Sequence, residues 1–206
     1  MYGLILEIAE TPSLKYLKKV LDTVGDAVKK YNWMLSDYEI HSNFPDALNK
    51  GGDGVYTWLN SESLLNIANN DNPKCFWCVA TAYNKQIPLN DIIKYGIPYA
   101  DGYSGFWTPD ITMQNSLADI EIVFWDGTYL LVFSKQKEIT DKFSVKYPQS
   151  MDIVQYNILT LNECITKLAN KTDKVWGDSM LSFIKEYHQE KYIQDDLYVK
   201  FIKIYG

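Results

Sequence analysis

The chain contains no arginine: all 20 of its basic residues are lysine. Arginine's planar five-donor fork is the usual reader of phosphates, carboxylates and guanine edges. Every mechanism that needs one is therefore excluded. The formal net charge is −6, which disfavours nucleic-acid binding, because that binding comes from cationic side chains neutralising phosphates. Association with an anionic membrane is disfavoured on the same ground. A composition rich in lysine, asparagine, isoleucine and tyrosine is also what an AT-rich bacterial genome tends to encode, and that bias accounts for most of the missing arginine.

Other scarcities narrow the field further. There are three cysteines and two histidines, His41 and His188. Three cysteines do not make a disulfide framework, and a reducing cytoplasm is the expected compartment. A zinc site needs four ligands, usually from two cysteine pairs, and only Cys75–Cys78 is a pair. No apolar run approaches the roughly 20 residues of a membrane span. The start, "MYGLILEIAE", has no basic region ahead of its apolar run, which argues against a secretory signal. The segment "CFWCVATAY" reads as a strand. A redox pair would instead open a helix, where the thiol pKa is lowered. On a regular strand positions i and i+3 point to opposite faces, so the two cysteines read as core-filling residues.

What is present reads as an ordinary globular chain, 47% hydrophobic and 22% charged. "YGLILEIA" (2–9) reads as a strand. Thr11 followed by Pro12 marks a helix start, and apolar residues recur at helical spacing through 13–31. Strands follow at 31–41 and 55–60, the first with Trp33 and Leu35 on one face. A turn-rich loop lies at 42–54 and a short helix at about 61–70. "CFWCVATAY" is the next strand. From 84 to 116 prolines and glycines forbid long elements, apart from a short helical piece near 90–95. "ADIEIVFWDGTYLLVFS" reads as a hairpin, because Asp126–Gly127 suits a type I′ turn. Ser134 caps a helix running to about Tyr147, stopped by Pro148. "TLNE" (160–163) matches a capping box for a helix to about 171. Another helix is expected at 177–190, and the tail "LYVKFIKIYG" fits neither period.

This order predicts an α+β fold: a single, mostly antiparallel sheet, helices packed mainly on one face, and a helical C-terminal portion. One domain over 1–206 is expected. The alternative division places a boundary near 150–160, with a helical extension over 158–206.

Chemistry-bearing constellations are thin. Glu39 and His41, at i and i+2 on a strand, share a face and would suit a general base, but no nucleophile accompanies them. His188 sits on a polar helical stretch and reads as solvated. "DGYSGF" lacks the second glycine of a nucleophile elbow, since Phe106 stands in its place. Neither a P-loop nor a dinucleotide fingerprint is present. Asp119 and Glu121 share a strand face and are candidates for a cation, but read more readily as the solvent side of a half-buried strand. No catalytic residue, cofactor or metal is expected. The regional signal is different: no lysine occurs between Tyr95 and Ser134, while acids and aromatics are dense there. Tyrosine and tryptophan supply contact area at small entropic cost, and opposite charge speeds and orients encounter. The candidate contacts are Asp101, Tyr103, Trp107 and Asp110, in the loop. The hairpin rings of 117–133 read as core.

The segments "YGLILEI", "YNWMLSDYEI" and "IEIVFWDGTYLLVFSKQKEITDKFSVKYPQSMDIVQYN" resemble small bacterial proteins known only as a domain of unknown function. The hairpin–helix piece is also similar to segments of immunity proteins from bacterial toxin systems. The resemblance covers 1–157 and supplies no catalytic residues.

The expectation is a non-catalytic, cytoplasmic protein-binding module of the immunity or inhibitor kind. It would occlude a basic, toxin-like partner through an acidic aromatic patch, with no nucleic acid and no membrane involved. The alternative is a small-molecule-binding protein or enzyme with a pocket under the 84–116 loop.

Overall fold

The computed structural model describes residues 1–41, 56–169 and 177–205. The loop read over 42–54 lies outside them. The chain divides into two compact units. One is Met1–Phe106 with Ile111–Asp152; the other is Trp107–Asp110 with Ile153–Gly206.

Among the described residues the first unit is built on seven strands: β1 (Tyr2–Glu7), β2 (Tyr31–His41), β3 (Tyr56–Asn60), β4 (Lys74–Asn84), β5 (Ala118–Trp125), β6 (Tyr129–Ser134) and β7 (Met151–Asp152). They form one sheet in the order β3-β2-β4-β5-β6-β1-β7, and every neighbouring pair is antiparallel. The fold is α+β. Its helices are α1 (Leu17–Val24), α2 (Ser61–Asn70), the single turn and a half of α3 (Leu89–Ile93), and α4 (Lys137–Lys146).

Strand alternation sends side chains to two different environments. On one face Leu35, Ala80, Ile122 and Val132 join Leu21, Leu64 and Phe143 from α1, α2 and α4 in the main core. On the other face Met34, Thr81, Glu121 and Phe133 form one lateral row across β2, β4, β5 and β6. All four are buried. Ile87, Leu89, Ile97, Met113 and Leu117, from the segment linking β4 to β5, pack there with Met34 and Tyr83.

The expected helix over 13–31 is broken into three pieces. Pro12–Lys15 is a 3-10 turn, and Tyr16 is extended and bridges to Lys74. The α-helix stops where Gly25 takes φ +71, and a second 3-10 stretch follows to Lys30. Asn60 caps α2 by accepting the Ser63 amide at 2.8 Å. Ser134 does not cap α4 directly: its Oγ accepts the Gln136 amide at 2.9 Å, one turn ahead of the helix. Asp126 and Gly127 have φ of 51° and 56°, the left-handed pair that a type I′ turn requires.

The cysteines depart from regular alternation. The β2–β4 register shifts around Glu39 and Ile40, and Cys75 and Cys78 both enter the helix-side core. A hydrogen bond with Cys78, and then burial, hold the Cys75 thiol well above its ordinary range. A buried, protonated thiol is a poor nucleophile, so the core-filling assignment gains support although the face argument behind it fails.

In the second unit α5 (Ile153–Ala169), α6 (Gly177–Gln189) and α7 (Asp195–Tyr205) enclose Ile165, Ile184, Ile193, Leu197 and Phe201. The "TLNE" box lies inside α5, so it is not a helix start. Asn162 donates to the Tyr192 carbonyl at 2.8 Å and accepts the Gln194 amide at 3.3 Å, fixing the α6–α7 turn to α5. His188 is not simply solvated: its Nε2 lies 2.8 Å from Asp195, and its ring stacks on Tyr198. Among the described residues no helix is long and apolar enough to cross a membrane.

The hairpin turn offers a direct check. Gly127 donates its amide to the Phe76 carbonyl at 2.7 Å, and a Cβ there would sit 3.1 Å from the Phe76 ring at a φ that L residues avoid. Gly127→Ala is expected to lower unfolding free energy by about 1–2 kcal/mol, measured by urea denaturation. An unchanged midpoint would contradict this turn geometry.

Candidate functional site

In the first unit, residues 85–106 and 111–117 cover one face of the sheet with little regular structure, so their backbone polar groups need partners elsewhere. The sheet supplies them. At the register shift in β2, Asp37 adopts φ +44. Its Oδ2 accepts the amides of Ala100 at 2.6 Å and Asp101 at 2.8 Å. The neighbouring Ser36 Oγ donates to the Pro98 carbonyl at 2.6 Å. From the far end of the segment, Gln114 closes a ring on Tyr99: its Nε2 donates to the Tyr99 carbonyl at 2.9 Å, and its Oε1 accepts the Tyr99 amide at 3.0 Å. Asn115, fully buried, donates to the carbonyls of Ile92 at 3.0 Å and Gly96 at 2.9 Å. The four residues 98–101 are thus held from both sides.

What this clamp presents is aromatic and acidic. Tyr95 is 55% and Tyr99 47% exposed, and Asp101 is exposed. Below Tyr99 a ladder of rings runs inward. Tyr103 lies edge-on to Tyr99 at 5.4 Å and to Phe106 at 4.7 Å, and Phe106 stacks on Phe133 of β6 at 5.7 Å. Such pairs add to the burial energy of each ring and anchor the loop to the sheet. Gly105 leaves room for the Tyr103 ring, because a Cβ there would come within 2.6 Å of its outer atoms and force the ring to shift.

Of the four residues read from sequence, Asp101 and the half-buried Tyr103 belong to the first unit. The half-buried Trp107 and exposed Asp110 belong to the second. Asp110 accepts a hydrogen bond from the Tyr192 hydroxyl at 2.8 Å, and Asn157 donates to the Thr108 carbonyl at 2.7 Å. Those bonds tie this short piece of chain to the helices of its own unit. The acids of the lysine-free run therefore differ in setting. Asp101, Asp110 and Asp126 are exposed. Asp119 pairs with Lys135 at 3.6 Å.

Glu121 overturns its sequence reading as a solvent-side residue. It is fully buried, facing Thr81 on β4 and Phe133 on β6. Its carboxyl faces the Gln114 amide at 3.3 Å and Gln114 Nε2 at 3.4 Å. Burial pushes this carboxyl up to about 7, and the two Gln114 donors pull the other way. The Tyr103 phenol is raised by burial and by Glu121, against a hydrogen bond with Thr112. The Tyr83 phenol is raised by burial and by Glu121, against a hydrogen bond with Thr81.

Glu39 and His41 do not form a pair. Both are exposed; Glu39 stands opposite Trp77 in the ladder, and the His41 ring packs on Phe76 at 4.9 Å. Surface depressions of about 480 and 520 Å³ lie between α5 and α7 and between α1 and α4. The underside of the loop is filled by buried Ile92, Phe106, Asn115 and Glu121. No group of three or more metal-ligating side chains occurs among the described residues.

No protein-family model matches the chain, and neither does any curated protein sequence or solved structure.

Ser36, Asp37 and Gln114 are absent from the candidates read from sequence, and Glu121 is among them only as a cation candidate beside Asp119. The one local signal was the polar Ser36–Asp37 pair inside an otherwise strand-like run. Asp37→Asn keeps a residue that tolerates positive φ and removes the charge that accepts two amides. It is expected to cost about 1–2 kcal/mol and to speed chymotryptic cleavage at Tyr99 and Tyr103. Unchanged cleavage kinetics would show that Asp37 does not hold the loop.

Proposed function

We propose that this chain is a non-catalytic protein-binding module of the immunity or inhibitor kind. It covers a basic partner with an acidic aromatic surface centred on Tyr99, Asp101 and Tyr103. One observation carries the reading: a loop of irregular structure is fixed by five hydrogen bonds around 98–101, with Tyr99 and Asp101 turned outward. Binding normally loses free energy through ordering of loops and side chains. A loop already ordered in the free protein avoids most of that cost. Tyr99 offers a large rigid contact, and Asp101, in a stretch without lysine, attracts and orients a cationic partner. The mechanism is occlusion: the partner's working surface is covered and no bond is made or broken. Trp107 and Asp110, on the second unit, are candidate contacts in their own right.

A second reading, an acid–base or ligand site beneath the loop, is favoured by one observation: Glu121 with its raised pKa lies among the tyrosines Tyr83 and Tyr103. Perturbed carboxyls mark functional sites more often than chance. In the closed arrangement Glu121 has no exposure to solvent, so this site would act only after the loop lifts.

The test is a binding titration of the purified chain against a panel of basic proteins, including the product of the adjacent gene, at low and high salt. A complex weakened by salt is expected. Tyr99→Ala and Asp101→Lys are each expected to weaken it about tenfold or more, with Trp107→Ala and Asp110→Lys scored separately. Equal affinity for the Tyr99 and Asp101 variants and the parent chain would refute the assignment.

A further inference from the structure

Beneath the clamped loop sits an ionisable group that recognition does not itself use. Gln114 touches both: its Nε2 lies 3.4 Å from Glu121 and 2.9 Å from the Tyr99 carbonyl, and its Oε1 accepts the Tyr99 amide. We propose that Glu121 is a positioning residue whose protonation closes the 98–101 loop and whose ionisation releases it, so that the recognition surface is switched by proton uptake. Its consequence for partner binding rests on the function proposed above; the switch itself does not.

The protonated form places no charge in the buried face. One carboxyl oxygen accepts from Gln114. Thr81 stands directly opposite Glu121 across the β4–β5 pair. Thr81 Oγ1 and the Tyr83 hydroxyl are buried on the same strand face, with no partner beyond each other.

The ionised form is not accommodated. The groups facing Glu121 are Thr81 and Tyr83 from β4, Phe133 from β6, and Gln114 and Tyr103 from the covering segment. Asp119 on β5 is paired with Lys135. None of the facing groups brings a positive charge. A buried carboxylate with two long N–H contacts lacks most of its solvation. Water reaches it most directly if the segment above it, which has no ladder of its own, lifts away.

The sign follows. Above its ordinary value of 4.5 the carboxyl is ionised in the unfolded or open chain, whereas burial keeps it protonated in the closed form up to about 7. Over that window the closed form retains a proton that the open form has released, so closure weakens as pH rises.

Amide hydrogen exchange by NMR tests this without any partner. Protection factors of Tyr99, Ala100 and Asp101 are compared at pH 6 and pH 8, with Ala80 and Ala82 in β4 as internal controls. In the parent chain the three loop amides are expected to lose about tenfold protection, while the β4 amides hold. In Glu121→Gln, which cannot ionise, the loop amides are expected to stay protected at both pH values. A flat parent profile, the same loss in the Gln variant, or equal loss throughout the sheet would overturn the proposal. If the variant does not fold, carbon-detected titration of the Glu121 carboxyl in the parent decides. A midpoint near neutrality coinciding with the loop transition supports the switch, and a midpoint near 4.5 removes it. Because no partner is present, failure here is distinguishable from failure to find a binding partner.

Discussion

A chain segment laid across a sheet face without forming helix or strand must still find partners for its backbone polar groups. That requirement organises the first unit. The side chains of Ser36, Asp37, Gln114 and Asn115 do the work that a ladder does elsewhere, and each bonds to main-chain atoms of the covering segment. The price of using side chains is burial of polar groups at that face, Thr81 and Glu121 on the strands and Asn115 in the covering segment. Such a network is stable only when its members are satisfied together. The loop's conformation and the protonation of Glu121 are therefore parts of one arrangement.

The two faces of the sheet contrast in consequence. On the helix side, apolar residues from α1, α2 and α4 pack on those of the strands in one core, and Trp33 satisfies its indole by donating to the Val28 carbonyl at 3.1 Å. On the loop side, aromatic packing through Tyr99, Tyr103, Phe106 and Phe133 is combined with a polar clamp. The first face gives the unit its stability; the second gives it a shaped surface. A shaped, irregular segment on a rigid scaffold is where proteins most often place recognition, and here the tyrosines and Asp101 are the groups it displays.

Much of the architecture was legible because its signals are local. Asp126–Gly127 has φ requirements that few other pairs meet, so the β5–β6 hairpin could be read from two letters. The α+β class and the antiparallel sheet followed from element order. What failed depends on contacts distant in sequence. The 13–31 helix is interrupted because Tyr16 bridges to Lys74, some sixty positions away. α5 begins at Ile153 although "TLNE" imitates a start, since a capping box is only an option that tertiary packing declined. Glu121 obeys strand alternation, yet a segment with no periodicity covers its face. Asp37 becomes an acceptor for two amides only because β2 bulges and gives it positive φ. The aromatic and acidic character of 95–110 was visible as composition; its assignment to two separate units was not.

The proposed recognition surface requires the 98–101 loop to be ordered before any partner arrives. Backbone ¹⁵N relaxation of Tyr99, Ala100 and Asp101 in the free protein, below neutral pH, measures this most directly. Order parameters near those of β4, about 0.85, are predicted. Values below about 0.6, with β4 remaining rigid, would mean that the clamp does not form and that the surface it is said to present does not exist in the free molecule.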